Sequence, residues 1–200
     1  MSGVLSVNDG SALYKHFISH WPDPDRLVIG ATELPSQVSN PALEIDSIVE
    51  QMMFLDSLSY LPDDILCKVD RASMGVSLET RVPMLDHRVV EFAWSLPLSK
   101  KIHNNQGKTI LRNILYKYVP KSLIERPKMG FGVPIDSWLR GPLRDWAENL
   151  LDESRLSQEG FFEPGPIREK WSEHLSGRRN WQYHLWDILM FQAWLRNESE

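Results

Sequence analysis

The sequence of 200 residues contains one cysteine, no two adjacent glycines and no long apolar run. The single thiol, Cys67, excludes an internal disulfide framework and a cysteine-rich zinc site, and such sparse cysteine is typical of a cytoplasmic protein. No apolar stretch approaches the roughly 20 residues that span a bilayer. The first residues also lack the basic and apolar regions of a signal peptide. The sequence therefore predicts a cytoplasmic protein without a membrane partner.

Positive charge is not in excess either. There are 22 Lys and Arg against 27 Asp and Glu, which gives a net charge of −5. This balance gives no reason to expect a nucleic acid as a partner. Apolar residues at 42% and charged residues at 24% are typical of a globular protein, and the length suits one domain better than two.

Helical periodicity dominates the chain, and no convincing strand is found. Capping and termination signals predict helices that begin near residues 9–11 and at residue 62, together with helices over about 42–59, 87–96, 108–118, 135–139, 142–151, 165–175 and 181–196. The last helix is apolar on most faces, so we expect it to be buried or docked on a partner. The predicted fold class is mainly α, with few or no strands.

One segment, residues 63–86, has an unusual distribution of charge. It holds eight charged residues of mixed sign in 24 positions. A purely structural helix would place its charges on one solvent-facing side. Here the charges continue into the non-helical stretch 77–83. Two interpretations stay open: a corner between two helices held by salt bridges, or part of a binding site.

A second segment, residues 125–134, combines cations with glycine and proline. Glycines at 130 and 132 let a backbone approach a ligand closely, and Arg126 and Lys128 suit an anion. The alternative is an ordinary loop between helices.

Taken together, these segments resemble the C-terminal part of the synthetase domain of glutamine-hydrolysing asparagine synthetases. The resemblance covers about residues 45–196 and fits less well before them. It is carried by Asp-Arg-Ala-Ser-Met at 70–74, Ser-Leu-Glu-Thr-Arg-Val-Pro-Met-Leu-Asp at 77–86, Gly-Lys at 107–108 with Leu-Arg at 111–112, Arg-Pro-Lys-Met-Gly-Phe at 126–131, and Phe-Gln-Ala-Trp-Leu at 191–195.

The resemblance implies the helical C-terminal portion of an adenine-nucleotide α-hydrolase-like (ATP pyrophosphatase) α/β domain that lacks most of its parallel sheet. Residues 1–200 are then a single helical fragment, with 41–196 carrying the motifs and 1–40 weakly assigned. The family converts aspartate, ATP and glutamine-derived ammonia to asparagine, AMP and pyrophosphate through a β-aspartyl-adenylate, with Mg²⁺ as cofactor.

The resemblance also implies roles for individual residues. Glu79 matches the glutamate that supports formation of the intermediate and acts as a base, and Lys128 matches the lysine that stabilises the phosphate in the transition state. Asp64 matches an acid near the magnesium pyrophosphate. Arg126, Gly130 and Gly132 belong to the loop over the nucleotide.

Each assignment has a structural alternative. Glu79 would be a surface glutamate paired to Arg81, Lys128 a solvated loop lysine, and Asp64 an acid in the first turn of a helix. Four other charged residues are expected to organise the corner by ion pairs and caps: Asp70, Arg71, Arg81 and Asp86.

The chain departs from the family in two respects. The family's pyrophosphate loop reads Ser-Gly-Gly-x-Asp-Ser, and this sequence has no Gly-Gly. The glutaminase domain with its cysteine nucleophile is also absent. We therefore expect this chain alone to be inactive. Two other functions stay open, namely a non-catalytic helical interaction module, with a homodimer as one assembly, and a related amide-forming synthetase of the β-lactam-forming kind.

Overall fold

The computed structural model describes residues 10–34, 45–127, 130 and 132–199. These ranges are mainly helical, which confirms the predicted fold class. Their strands are two residues long and form one antiparallel hairpin, β1 (Ile102–His103) and β2 (Gln106–Gly107). Asn104 and Asn105 join them with φ values of 48° and 58°. Two successive positive φ values are what a two-residue type I′ turn requires, and asparagine accepts them readily.

The contacts between Cα atoms divide the chain into two compact units. Among the described residues, the core unit comprises 12–34 and 132–199, and the motif unit comprises 10–11, 45–127 and 130. The expectation of a single fragment over 1–200 stays a prediction about the chain as a whole.

The core unit buries a continuous apolar cluster. Leu139, Trp171, Leu185 and Leu189 are almost completely shielded from solvent. Its helices are most of α1 (Gly10–Ile18), a 3-10 turn (Pro24–Arg26), α8 (Ile135–Arg140), α9 (Arg144–Leu150), α10 (Glu153–Glu159), α11 (Pro164–Leu175) and α12 (Gln182–Ser199).

Helix α12 is the apolar helix that the sequence predicted to be buried or docked on a partner. One face of it is buried, because it packs against α8, α9 and α11 of its own unit, while Tyr183, Met190 and Trp194 stay exposed. Leu185, Ile188 and Leu189 supply the buried apolar surface, and Gln192 is also fully shielded.

Short polar and backbone contacts fix the remaining turns of the core unit. Asp152 caps α10 by accepting a hydrogen bond from the Arg155 N–H at 3.0 Å. Gly160 ends the same helix with φ of 72°. The next residues pair with the N-terminal segment, because the Ile29 N–H donates to the Phe161 carbonyl at 2.9 Å and the Glu163 N–H to the Leu27 carbonyl at 2.8 Å.

The motif unit is a series of α-helices of 4 to 11 residues. Ser47 caps the first by accepting from the Glu50 N–H. Pro62, which the sequence predicted to begin a helix, lies at the start of a wide π-helical segment, where its missing N–H does least harm. The elements are α2 (Ile48–Leu58), the π-helical segment (Leu61–Leu66), α3 (Cys67–Met74), a 3-10 turn (Pro83–Leu85), α4 (His87–Ser95), α5 (Leu98–Lys101), α6 (Thr109–Leu115) and α7 (Lys121–Ile124).

Apolar side chains of the motif unit are largely exposed. In its described part, Leu55 is the only buried hydrophobic residue. An apolar concavity of about 600 Å³ opens among α2, α4, α5 and α6, lined by residues that include Met53, Phe92, Trp94 and Leu111. No helix within the described ranges of the chain has the length and apolar character needed to cross a membrane.

Candidate active site

The first candidate acid, Asp64, lies in the π-helical segment that precedes α3. Its Oδ1 is 3.0 Å from Nζ of Lys68, one turn further along the chain, and both side chains are about half exposed. Elsewhere in the ranges that the structure describes, no three His, Cys, Asp or Glu side chains cluster in a way that could hold a metal ion. The described residues therefore do not form a magnesium site by themselves, and Asp64 fits its structural alternative of a first-turn acid.

Glu79 follows a tight reversal at the end of α3. The reversal places Ser77 at φ of 60°, and the Leu78 N–H donates to the Ser73 carbonyl at 2.9 Å. The Glu79 Oε1 is 2.5 Å from Nη2 of Arg81, with exposed side-chain fractions of 68% and 83%. The Glu79 carboxylate is therefore accessible to solvent. An ion pair so exposed contributes little to stability.

Asp86 organises the end of this corner, as the sequence predicted. It caps α4 by accepting from the Arg88 N–H at 3.0 Å, and it accepts from Nε and Nη2 of the same arginine at 2.9 and 2.8 Å. The Arg88 side chain, followed by its backbone N–H, lowers the pKa of Asp86. Asp70 and Arg71 lie on α3 with exposed side chains.

The second motif block begins at Glu125, directly after α7. Its Oε1 accepts from Nη1 of Arg112 at 2.5 Å and from the Tyr116 hydroxyl. Gln106 on β2 donates through Nε2 to both carboxylate oxygens at 3.2 Å. Sequence analysis predicted no role for Arg112 beyond its place in a matched motif. The signal that could have found the cluster is the four-residue spacing of Arg112 and Tyr116, which places them on one helix face.

The structure shows few contacts for the candidates that follow Glu125. Arg126 is exposed, and its N–H donates to the Ile124 carbonyl at 3.0 Å. Lys128 lies outside the described residues. Gly130 belongs to the motif unit and Gly132 to the core unit, and a Cβ added at either would meet no atom within 4 Å. Their proposed roles therefore stay predictions.

The structure does not join the candidates into one contact network. Within the described part of the chain, no hydrogen bond or ion pair links Asp64, Glu79, Arg126 or Gly130 to another of the four. What the structure does bring together is Gln106, Arg112, Tyr116 and Glu125.

Comparison with known proteins decides what these motif blocks belong to. The sequence matches the asparagine synthase family over residues 7–196, which includes both blocks. The chain belongs to the asparagine synthase family. This confirms the resemblance seen in the sequence, and it places the chain in a family of ligases that serve asparagine biosynthesis.

Curated asparagine synthase relatives come from bacteria and mammals. The chain is 30% identical over 148 residues to glutamine-hydrolysing asparagine synthetase 1 of Bacillus subtilis, covering 74% of this chain and 23% of that protein. It is 37% identical over 147 residues to a glutamine-hydrolysing asparagine synthetase, named as putative, of Mycobacterium tuberculosis, covering 73% and 22%. For the mouse enzyme the identity is 32% over 143 residues, covering 62% and 24%.

The chain thus spans less than a quarter of the length of these asparagine synthase relatives. No solved structure gives a significant match to it.

Proposed function

We propose that this chain is the C-terminal, motif-bearing part of a glutamine-hydrolysing asparagine synthetase of the cytoplasm. The observation that carries the proposal is the family match over residues 7–196, which spans both motif blocks in their order. The helices would then be part of an adenine-nucleotide α-hydrolase-like domain. The complete enzyme would use aspartate, ATP and ammonia from glutamine.

Glu79 is proposed as the base of the amide-forming step. When ammonia attacks the β-carbonyl of the aspartyl-adenylate, a C–N bond forms, the bond to AMP breaks and the nitrogen must lose a proton. An accessible carboxylate that is paired with Arg81 in open solvent can accept that proton.

Lys128 and Arg126 are proposed to offset negative charge on the phosphate during formation of the adenylate. Their support is the motif and the exposed position of Arg126. Asp64 offers one carboxylate, and the described residues add no further ligands that would complete a magnesium site around it. ATP and Mg²⁺ therefore belong to the proposal for the complete enzyme.

The first test separates this chain from the complete gene product. Aspartate-dependent release of pyrophosphate is expected from the complete gene product when glutamine or ammonia is supplied. No release is expected from the 200 residues alone, because they contain no Gly-Gly pyrophosphate loop. Pyrophosphate release by the purified 200-residue chain would overturn the second expectation.

The second test addresses the assigned residues in the complete gene product. Glu79→Gln and Lys128→Ala are each expected to lower asparagine synthesis at least about 100-fold with the fold intact. Glu91→Gln and Lys117→Ala are matched controls, because both residues are exposed in the same unit and outside the motif blocks. Synthesis at the wild-type rate in Glu79→Gln and Lys128→Ala would remove the site assignment. Turnover of another carboxylic acid in place of aspartate would favour a related amide-forming synthetase.

A non-catalytic interaction module is the second candidate, and the exposed apolar side chains of the motif unit favour it. Sedimentation of the 200-residue chain would distinguish a monomer from a homodimer. Calorimetric titration with ATP and Mg²⁺ would show whether a nucleotide binds. Self-association without any nucleotide binding would support the interaction module.

A further inference from the structure

The Arg112 side chain contacts both Gly107 and Glu125. Arg112 Nε donates to the Gly107 carbonyl at 3.0 Å, and its Nη1 donates to Glu125 Oε1 at 2.5 Å. Gly107 is the last residue of β2, and Glu125 follows α7 and directly precedes Arg126. The Arg112 side chain is 21% exposed and that of Glu125 is 38% exposed, so the pair is partly shielded from water.

The neighbouring side chains fix the same carboxylate from other directions. The Tyr116 hydroxyl donates to Oε1 of Glu125, and Gln106 donates to both oxygens. Lys121 lies 5.0 Å from the centre of the Tyr116 ring, which holds that ring in place. The Glu125 carboxylate therefore accepts hydrogen bonds from side chains of β2 and α6, and its backbone is fixed at the end of α7.

The geometry requires an arginine at position 112. A guanidinium offers several N–H donors in a rigid fork, so one side chain can bond a carbonyl and a carboxylate at once. A lysine ammonium at the same position is a single point and can reach one of them well. Lys108, which follows Gly107, has a left-handed backbone with φ of 61°. The Arg112 side chain thus bonds to the carbonyl directly before this irregular position.

We propose that Arg112 and Tyr116 are positioning residues, which hold Glu125 and thereby set the direction in which the backbone leaves α7 at Arg126 and Pro127. Arg126 is the next residue along the chain, and its backbone N–H bonds to Ile124 within the same turn. The consequence for catalysis rests on the proposed function. Because a small displacement of a charged group costs much of its effect on a transition state, loss of the anchor is expected to lower turnover.

The anchor itself can be tested on the 200-residue chain by hydrogen exchange. In Arg112→Met, the amides of Glu125 and Arg126 are expected to exchange about tenfold faster. Arg112→Lys is expected to lie between Arg112→Met and the wild type. Arg88→Met is the matched control, because Arg88 also pairs with a carboxylate in the motif unit but is far more exposed. Tyr116→Phe removes only the hydroxyl and serves if Arg112→Met does not fold. Unchanged exchange in folded variants would overturn the proposal.

The catalytic role is tested in the complete gene product. Arg112→Met is expected to lower kcat for aspartate-dependent pyrophosphate release about 10- to 100-fold while KM for ATP changes less than about twofold. Arg112→Lys should recover part of kcat, and Arg88→Met should retain the wild-type values. An unchanged kcat would overturn the positioning role of Arg112. So would a decrease in kcat that is fully explained by the fraction of unfolded enzyme. If the wild-type gene product shows no aspartate-dependent release of pyrophosphate, the proposed function is refuted. Hydrogen exchange would then still test whether Arg112 holds Glu125.

Discussion

Trp171, Leu185 and Leu189 of the core unit are almost fully shielded from water, whereas Phe92, Leu111 and Tyr118 of the motif unit are 60%, 44% and 79% exposed. Both regions are helical and both are rich in apolar residues. They differ in what covers the apolar faces. Helices of the core unit cover each other, while α2, α4, α5 and α6 of the motif unit surround an open apolar concavity.

Individual carboxylates of the two units also differ in their partners. In the core unit, the Trp171 indole N–H donates to Glu148 Oε2 at 2.5 Å, and Arg168 pairs with the other oxygen at 2.7 Å. The Trp171 bond, with a smaller contribution from Arg168, lowers the pKa of Glu148 against the opposing effect of burial. In the motif unit, Glu79 and Arg81 pair in open solvent. Glu79 thus stays accessible, although the motif unit also contains the partly shielded pair of Arg112 with Glu125.

The largest expected effect is truncation of a buried ring. Trp171→Ala should destabilise the core unit by about 3–5 kcal/mol, because it removes a large apolar side chain and leaves a cavity. Trp94→Ala in the motif unit should cost about 1 kcal/mol, since Trp94 is partly exposed and contacts Phe54 and Lys101. Urea unfolding followed by circular dichroism measures both. Equal losses would break the distinction between the two units.

A smaller effect is expected from pH, and its main source is a histidine of the core unit. Burial, followed by the nearby charges of Lys170, His20 and Arg179, lowers the pKa of His184 to about 4. The unfolded imidazole has a pKa of about 6.5, so between these values the unfolded chain binds more protons. The free energy of unfolding should therefore fall by about 1–2 kcal/mol as the pH drops from about 6.5 to 4, after allowance for partial exposure.

Other titrating groups of the core unit modify this prediction. The pKa of His174 is also lowered by burial, so it acts in the same direction. Burial raises the pKa of Asp187, which offsets part of the loss near the acidic end. Thermal melting of the wild type and of His184→Gln across this pH range is the measurement. An equally steep decline in His184→Gln would assign the effect to other groups.

A still smaller effect is expected at the two matched helix caps. Asp152→Ala in the core unit removes an acceptor from a helix N-terminus and should cost about 1 kcal/mol. Asp86→Ala in the motif unit removes the corresponding acceptor and should cause a loss no larger than that. Chemical denaturation provides the two values. A much larger loss for Asp86→Ala would show that its side-chain bonds to Arg88 hold more of the motif unit than the cap does.

The smallest effect on stability is expected where an apolar side chain is already exposed. Phe92→Ser should change the free energy of unfolding by less than about 0.5 kcal/mol. It should nevertheless reduce binding of a hydrophobic fluorescent dye, because Phe92 lines the apolar concavity. Met190→Ser, at a partly exposed position of the core unit, is the control and should leave dye fluorescence unchanged. Equal dye binding by wild type and Phe92→Ser would argue against an accessible concavity.

Local signals in the sequence predicted much of the fold. Asp86 was expected to cap a helix over 87–96, and α4 runs from His87 to Ser95. The helix expected over 165–175 is α11, from Pro164 to Leu175. These predictions succeeded because caps, prolines and helical periodicity act within a few residues. The hairpin was not predicted, since strands of two residues have too few positions to show alternation.

What the sequence did not predict depends on contacts between distant residues. The pairing of Arg112 with Glu125 crosses 13 positions. The covering of α12 by α8, α9 and α11 likewise depends on packing that periodicity alone does not specify. For the candidate site, Glu79 was named from its motif, and its pair with Arg81 was named as the structural alternative; the structure contains that pair. The catalytic roles of Glu79 and Lys128 stay predictions.

The contact between Arg112 and Glu125 has a consequence for evolution. A mutation that removes either charge leaves its partner partly shielded without a counter-charge, so it is tolerated best when the other position changes too. Among related sequences, positions 112 and 125 should therefore be inherited as a pair. Lineages that lose the arginine should also have replaced the glutamate, together with the tyrosine at 116.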